Sequence, residues 1–347
     1  MKKFTFSVCL VVLGITASAQ QSFSLTQGVT SLVYALPATE LVVDVEIEKT
    51  VEKPGAFYQY SQRYLATSNV VTEESVNYKL RSVQLHTQAV ADTARRFAVS
   101  PMLLKGLVVN EKGILVGVNA EKPRPVVVRQ RETVRRQEQL SPRPEGLLPL
   151  NQEYMMAGST AKMAEGAAYQ IYALRESRIN LLSGELDRMP ADGDALKQML
   201  QGIDRQEREL TELFTGSVRT EIVRHRVTLM PDTAELEKVI FRLSTKRGVV
   251  DNDDLGGDPY FIVLEPETIP VSPQFDPKAK PVVPVLYSVL PATTTIEISD
   301  GVHTLLKQKA DIPQFGVLIP YDASLLKSKT FSLELDPATG RLLKLQH

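Results

Sequence analysis

Tryptophan is absent from the 347-residue chain, cysteine occurs once, and histidine occurs four times. The single Cys9 lies in an apolar stretch near the N-terminus, so the rest of the chain has no thiol for a disulfide or a nucleophile. His86 and His225 fall in predicted strands and have no histidine or cysteine neighbour at the spacing of a zinc site. We therefore expect neither thiol chemistry nor zinc binding.

The short motifs of common catalytic and nucleotide-binding sites are also missing. The sequence has no G-x-S-x-G nucleophile elbow, no H-E-x-x-H helix, no phosphate loop and no dinucleotide glycine fingerprint. We predict no cofactor and name no catalytic residue. The formal net charge of −1 gives no field that would attract nucleic acid, so no nucleic-acid partner is expected.

The N-terminus has the pattern of a cleaved secretory signal peptide. Two lysines precede an apolar stretch at residues 4–15, and an Ala-Ser-Ala triplet offers a cleavage site before Gln20. This stretch is too short to cross about 30 Å of hydrocarbon as a helix. We interpret residues 1–19 as the signal peptide of a protein exported to the periplasm, the outer membrane or the medium. No membrane-spanning segment is predicted, and peripheral membrane association stays open.

Residues 41–48 alternate between aliphatic and mostly acidic side chains, which predicts a strand with one buried face. Strand-like segments recur on both sides of a central helical region. We predict an α+β protein in which a long helical hairpin is inserted between two mainly antiparallel β domains. The predicted units are a signal peptide (1–19), an N-terminal β domain (20–120), a Pro/Arg-rich linker or edge strand (121–156), the helical hairpin (157–216) and a C-terminal β domain (217–347).

The hairpin is the clearest local pattern in the sequence. Ser159 is the predicted cap of a helix that Gly184 ends, and Asp192 or Asp194 caps a second helix that closes at Gly216. Both helices carry an apolar stripe at helical spacing. We expect the two stripes to form one seam, which contains Ile171, Leu174, Leu181, Leu200, Ile203 and Leu210.

Two segments of the β regions resemble each other. Residues 34–39 are Tyr-Ala-Leu-Pro-Ala-Thr, and residues 287–293 are Tyr-Ser-Val-Leu-Pro-Ala-Thr. Each is followed by an alternating strand, then by a Phe-x-Val sequence, and finally by a hairpin that contains glycine. This shared order favours an internal duplication, and independent strands with similar composition are the alternative.

The first helix carries the densest polar cluster, which comprises Arg175, Glu176, Arg178 and Asn180. Arg178 falls on the apolar stripe, where its aliphatic stem can be buried while its guanidinium pairs with a carboxylate such as Glu207. A structural clamp is the first interpretation, and a binding site for a ligand or partner is the second.

An acidic loop at residues 251–258 has some features of a calcium site. Its ligands would be Asp251, Asp253, Asp254 and Asp258. Leu255 stands where an oxygen ligand is needed, and Ile262 stands where a closing glutamate is needed. Weak calcium binding is one interpretation, and a polar turn between strands is the other.

The helix around the arginines is similar to the signature of a known family. Residues 172–185 are Tyr-Ala-Leu-Arg-Glu-Ser-Arg-Ile-Asn-Leu-Leu-Ser-Gly-Glu, followed by Met-Pro at 189–190 and Asp-Gly at 192–193. Together with residues 34–37, 51–55 and 253–255, this resembles a secreted family of unknown function found in Bacteroidetes. The resemblance covers nearly the whole mature chain. It implies a location in the envelope of a Gram-negative cell, and it provides no activity, cofactor or catalytic residue that could be transferred to this chain.

Two functions are compatible with these patterns. The first is a non-catalytic envelope protein that binds another envelope protein or an envelope glycan through its β surfaces or its helical hairpin. The second is a hydrolase of envelope glycan or peptide with scattered carboxylates, which would require two carboxylates about 5–9 Å apart in one pocket. The first is favoured, because catalysis usually leaves a concentrated polar signature.

The signal peptide generates the first testable prediction. The envelope-located protein should begin at Gln20, because a signal peptidase cleaves after the small residue of the triplet. N-terminal sequencing by mass spectrometry measures this directly. An intact Met1 on the envelope-located protein would contradict export by cleavage.

Overall fold

The structure, a computed structural model, describes residues 33–99, 106–120, 148–184, 193–271, 284–322 and 331–346. The predicted signal peptide and residues 121–147 of the predicted linker lie outside these ranges. Long antiparallel strands and one helical hairpin make up most of the described residues, which confirms the α+β class.

The strands are β1 Val33–Lys53, β2 Ser75–Ala98, β3 Leu107–Val109, β4 Leu115–Val118, β5 Ser217–Leu229, β6 Leu236–Ser244, β7 Gly248–Val250, β8 Asp258–Thr268, β9 Pro284–Ser299, β10 Thr304–Asp322, β11 Ser332–Leu335 and β12 Leu342–Gln346. The helices are α1 Ser61–Leu65, α2 Gln152–Met155, α3 Thr160–Ser183 and α4 Gly193–Thr215.

The described strands form three sheets, with orders β2-β1-β5, β10-β9-β8-β6-β7 and β12-β11-β4-β3. The first sheet joins β1 to β5, and the third joins β4 to β11. Both sheets therefore contain strands from before and after the helices. Hydrogen bonding thus crosses between the predicted N-terminal and C-terminal β domains. The boundaries of these domains stay a prediction.

The first sheet packs against the second through one face of β1. Leu41, Val43, Val45 and Ile47 are all at most 1 % exposed, which confirms the buried face predicted from the alternation. Their partners on the second sheet include Phe241, Ile262, Ile296 and Ile298. This apolar layer fixes the position of β1 and therefore of its two neighbours.

A second core surrounds the beginning of β1. Tyr34 and Leu36 pack with Leu115, Leu286 and Leu333, so strands from all three sheets contribute. The Tyr34 hydroxyl accepts a hydrogen bond from the Tyr287 N–H at 2.7 Å, and burial raises the pKa of this phenol.

The two similar segments occupy similar places in the fold. The order β2-β1-β5 matches β10-β9-β8, with antiparallel pairing throughout. The β1–β2 register shifts between Ala35 and Pro37, and the β9–β10 register shifts between Ile312 and Val317, opposite the second Pro-Ala-Thr segment. Equivalent strands thus have equivalent neighbours and irregularities, which favours the duplication. The superposition itself stays a prediction.

Side chains at each irregularity bond to the backbone of the other similar segment, and Arg95 also bonds to the backbone of its own segment. The Arg95 guanidinium contacts Asp92 at 2.5 Å and donates to the carbonyl oxygens of Pro313 at 3.0 Å and Pro37 at 3.2 Å. Gln314 pairs with the backbone of Thr39 in the same way, through bonds of 2.8 and 2.9 Å. Burial raises the pKa of Asp92, but hydrogen bonds from Arg95 and from backbone N–H groups lower it below its ordinary value.

Arg95→Met should destabilise the protein by ~2 kcal/mol, because it removes the cation that pairs with the half-buried carboxylate of Asp92 and the guanidinium donor of two carbonyls. Urea denaturation followed by circular dichroism measures the free energy of unfolding. Arg81→Met is the matched control, since Arg81 lies exposed on the same strand. Equal stability of the two variants would contradict a structural role for Arg95.

Candidate binding site on the helical hairpin

The Ser159 cap and the two glycines that end the helices agree with the sequence prediction. The Ser159 hydroxyl accepts a hydrogen bond from the Lys162 N–H at 3.4 Å, and Gly184 ends α3 in the left-handed conformation with φ 75°. Gly216, with φ 79°, follows the end of α4. Residues 185–192 lie outside the described residues, so a cap at Asp192 stays a prediction, and Asp194 lies in the first turn of α4.

The base of the hairpin has its own core. Ile171 of α3 and Leu210 and Phe214 of α4 are buried together with Phe57. The rings of Phe57 and Phe214 lie 5.6 Å apart. Half of the predicted seam is fully buried, namely Ile171, Leu181 and Leu210, and the other three residues are half-buried. The sequence did not reveal that the segment around Phe57 and α1 covers this base.

The predicted arginine cluster is divided between two faces. Arg175 Nε lies 2.7 Å from Glu207 Oε1, and Arg178 contacts both Glu207 Oε2, at 3.3 Å, and Asp204. The predicted pairing of Arg178 with Glu207 is confirmed. Glu176, by contrast, is exposed. Asn180 is half-buried, and its backbone carbonyl accepts the capping hydrogen bond from Gly184.

Arginines hold the acidic loop of residues 251–258. Arg247 binds both carboxylate oxygens of Asp254, at 2.7 and 2.9 Å, and these bonds lower the pKa of that carboxyl. Asp251, Asp253 and Asp258 are exposed. Within the described ranges no group of three or more His, Cys, Asp or Glu side chains has the geometry of a metal site. Calcium binding stays a prediction that this geometry does not favour.

An exposed aromatic surface on α3 was not predicted from the sequence. Tyr169, Tyr172 and Ile179 are 62 %, 49 % and 63 % exposed and lie on one side of the helix, because their spacings of three and seven match the helical repeat. The Tyr172 hydroxyl donates to the Tyr64 carbonyl oxygen at 2.7 Å, which joins α1 to this surface. We call Tyr64, Tyr169, Tyr172 and Ile179 the tyrosine face. An apolar row outside the predicted stripe was the signal that could have revealed it.

Two arginines border the tyrosine face. The Arg175 guanidinium lies 5.7 Å from the centre of the Tyr172 ring, and the Arg63 guanidinium lies 5.4 Å from that of Tyr64. Both distances are within the range of cation–π attraction. Arg175 is also held by Glu207, so the ion pair fixes the cation over the ring.

Two of the cavities lie elsewhere on the described surface. One, of about 440 Å³, lies between α3, α4 and residues 149–151, and Glu209 is the one carboxylate among its described lining residues. The other, of about 490 Å³, lies between β5, β6 and β7, and Asp251 is the one carboxylate among the described residues that line it. The described residues therefore bring no pair of carboxylates together in either of these two cavities.

Arg178→Ala should lower the free energy of unfolding by about 1 kcal/mol. The loss is moderate because Arg178 is partly solvated and Arg175 still pairs with Glu207. Urea denaturation measures the change. Glu176→Ala changes an exposed neighbour and should alter the free energy of unfolding by less than about 0.5 kcal/mol. An Arg178→Ala variant with the same free energy of unfolding as the wild-type protein would contradict the structural clamp.

Among the described residues, no helix is both long and apolar enough to cross a membrane. Searches of curated proteins and of solved structures gave no match to the chain. A family model described as a domain of unknown function (DUF4831) matches residues 28–343, which confirms the resemblance to a family of unknown function over nearly the whole chain. The Bacteroidetes origin and secretion stay predictions. By this match, the chain belongs to the DUF4831 family.

Proposed function

We propose that the chain is an exported, non-catalytic binding protein of the cell envelope and that its tyrosine face contacts another envelope protein. The observation that carries this proposal is the exposure of Tyr169, Tyr172 and Ile179 in one row on a helix whose other apolar side is already buried. A helix that is apolar on two sides usually has partners on both.

The composition of the face supports a protein partner. Tyrosine and arginine are enriched among the residues that dominate binding energy at protein interfaces. Tyrosine provides a large contact area with little conformational entropy to lose, and its hydroxyl tolerates water when the partner is absent. Here both tyrosines of α3 are exposed, and Arg63 and Arg175 lie over neighbouring rings.

The face is also held rigidly, which reduces the entropy lost on binding. Tyr172 is bonded to the backbone of Tyr64, and Arg175 is bonded to Glu207 on the other helix. The base beneath is anchored by the packing of Phe57 against Phe214. These contacts give the arginine cluster a positioning role next to the proposed interface.

The alternative function is hydrolysis of an envelope polymer. That interpretation requires two carboxylates about 5–9 Å apart in one concave site. Among their described lining residues, the two cavities above have one carboxylate each, Glu209 or Asp251, so neither cavity supports this function.

Site-specific photocrosslinking in intact cells tests the proposal. A photoreactive amino acid at Tyr169 or Ile179 should give a protein adduct, and one at Arg205, exposed on α4, should give none. Ile179→Asp should abolish the adduct formed at Tyr169, because it places a charge in the apolar row. Met199→Asp, which changes an exposed apolar residue of α4, is the matched control and should leave the adduct unchanged.

The outcomes of this experiment are distinct. Equal adducts at Tyr169 and Arg205 would show nonspecific proximity and contradict the proposal. An adduct of twice the mass of the chain would indicate self-association instead of a different envelope protein. A normal thermal transition of Ile179→Asp would confirm that the loss of adduct does not reflect unfolding.

A further inference from the structure

β5 is an edge strand of the first sheet. Among the described strands it pairs with β1 alone, over all 13 of its residues and without a register shift. Residues 218–224 are all exposed, so this part of the strand is accessible to solvent. An edge strand presents a row of backbone N–H and C=O groups that can form hydrogen bonds with a further strand.

β5 is more regular than the other long edge strands that the structure describes. Those strands, β2 and β10, both have register shifts against their neighbours, and β10 also contains Pro313 and Pro320. Such irregularities interfere with pairing along an edge. β5 has neither a register shift nor a proline. Its edge is therefore suited to strand addition, in which backbone hydrogen bonds provide affinity and alternate side chains provide specificity.

The charges on β5 restrict the kind of strand that can be added. The strand has an excess of positive charge, from Arg219, Arg224 and Arg226 against Glu221. A second copy of β5 would bring the same excess to the edge. Residues 121–147 contain seven Lys or Arg and four Glu, so their net charge is also positive. Because like charges on adjacent strands repel, an acidic segment of a different protein is the favoured partner.

β1 shows which side chains fit beside β5. Asp44 lies opposite Arg226, and its Oδ1 atom is 2.7 Å from the arginine Nε. Glu46 lies opposite Arg224, with 3.2 Å between Oε1 and Nε. Val45, between the two acidic residues, packs in the core. The side chains of Arg224 and Arg226 are still 75 % and 63 % exposed, so a strand added on the other side can also place carboxylates next to them.

The cavity of about 490 Å³ lies beside β5, between the first and second sheets. His225 and Val227 of β5 line it together with Ile240 of β6 and with Val249 and Val250 of β7. Successive side chains of a strand point to opposite faces of the sheet. An added strand with its acidic residues on the outer face would therefore direct the residues between them toward this cavity, where the three aliphatic side chains of β6 and β7 favour aliphatic partners.

We propose that the edge of β5 binds an extended segment of a partner protein in which acidic and aliphatic residues alternate. The acidic residues pair with Arg224 and Arg226, and the aliphatic residues between them cover the cavity. This surface lies on the first sheet rather than on α3. The inference therefore goes beyond the proposed interface at the tyrosine face and is independent of it.

A fluorescent peptide with the sequence of residues 41–48 tests the proposal, because this acidic and aliphatic sequence pairs with β5 in the fold. Fluorescence anisotropy should show that it binds the purified protein. Arg224→Glu should weaken binding about fivefold, since it places like charges on adjacent strands. Lys79→Glu is the matched control, because Lys79 is exposed on β2 at the opposite edge of the sheet, and it should leave binding unchanged.

Two further measurements locate the binding site. Hydrogen exchange followed by mass spectrometry should slow in residues 217–229 when the peptide is added, and it should not change in residues 75–98. A second peptide carries Asp44→Lys and Glu46→Lys and should bind the wild-type protein about fivefold more weakly. This second peptide should bind Arg224→Glu more tightly than it binds the wild-type protein, which unfolding of the variant could not produce.

Four results would overturn the proposal. The first is the absence of binding by the 41–48 peptide, and the second is equal binding of the two peptides to the wild-type protein. The third is exchange in residues 217–229 that is already as slow as in β1 without peptide, which would show that another segment of the chain occupies the edge. The fourth is slowing with protein concentration alone, which would assign the edge to a second copy.

Ile179→Asp separates this proposal from the proposed function. It should leave binding of the 41–48 peptide unchanged, because Ile179 lies on α3 and not on the first sheet. Loss of the photocrosslinked adduct with normal peptide binding would therefore affect the tyrosine face alone. Loss of peptide binding in Arg224→Glu with a normal adduct at Tyr169 would affect the β5 edge alone.

Discussion

Hydrogen bonding along both edges of β1 is the constraint on which the rest of the structure depends. β1 pairs with β2 on one side and with β5 on the other. Alternate side chains along residues 41–47 pack in the core between the first and second sheets. Tyr34 and Leu36 pack in the other core. The polypeptide leaves this framework before the helices and returns to it directly after α4. The hairpin is thus attached to the β1–β5 strand pair, whose packing does not depend on the helices.

In the hairpin, the residues that hold the two helices in place differ from the residues that are exposed for binding. Phe57 and Phe214 bury the base, and Glu207 binds arginines on one flank of the seam. The cavity of about 440 Å³ lies on the other flank, and the tyrosine face lies outside the seam. The fold does not require the apolar side chains of the tyrosine face to be exposed. Their exposure to water costs free energy that a binding partner would recover, which is why we interpret this face as a site.

Much of the local structure was predictable from the sequence. The alternation at residues 41–48, the Ser159 cap and the Gly184 end depend on side-chain periodicity and backbone freedom, which short segments encode. The Arg178–Glu207 pair was predictable because a charged residue on an apolar stripe needs an opposite charge nearby. The tyrosine face and the cavity were not predicted. The face requires knowing which apolar side of α3 is covered, and the cavity joins three segments that are distant in sequence.

By itself, the sequence determined the strands, the helical hairpin and its caps, because hydrogen bonding and periodicity within a segment set these features. Tertiary structure alone decided that β5 joins β1, that β11 joins β4, and that Arg95 links Pro37 to Pro313. It also decided that Glu176 leaves the arginine cluster while Asn151 joins Gln170 around one cavity. These choices depend on which surfaces are buried together, and burial is a property of the whole chain rather than of any one segment.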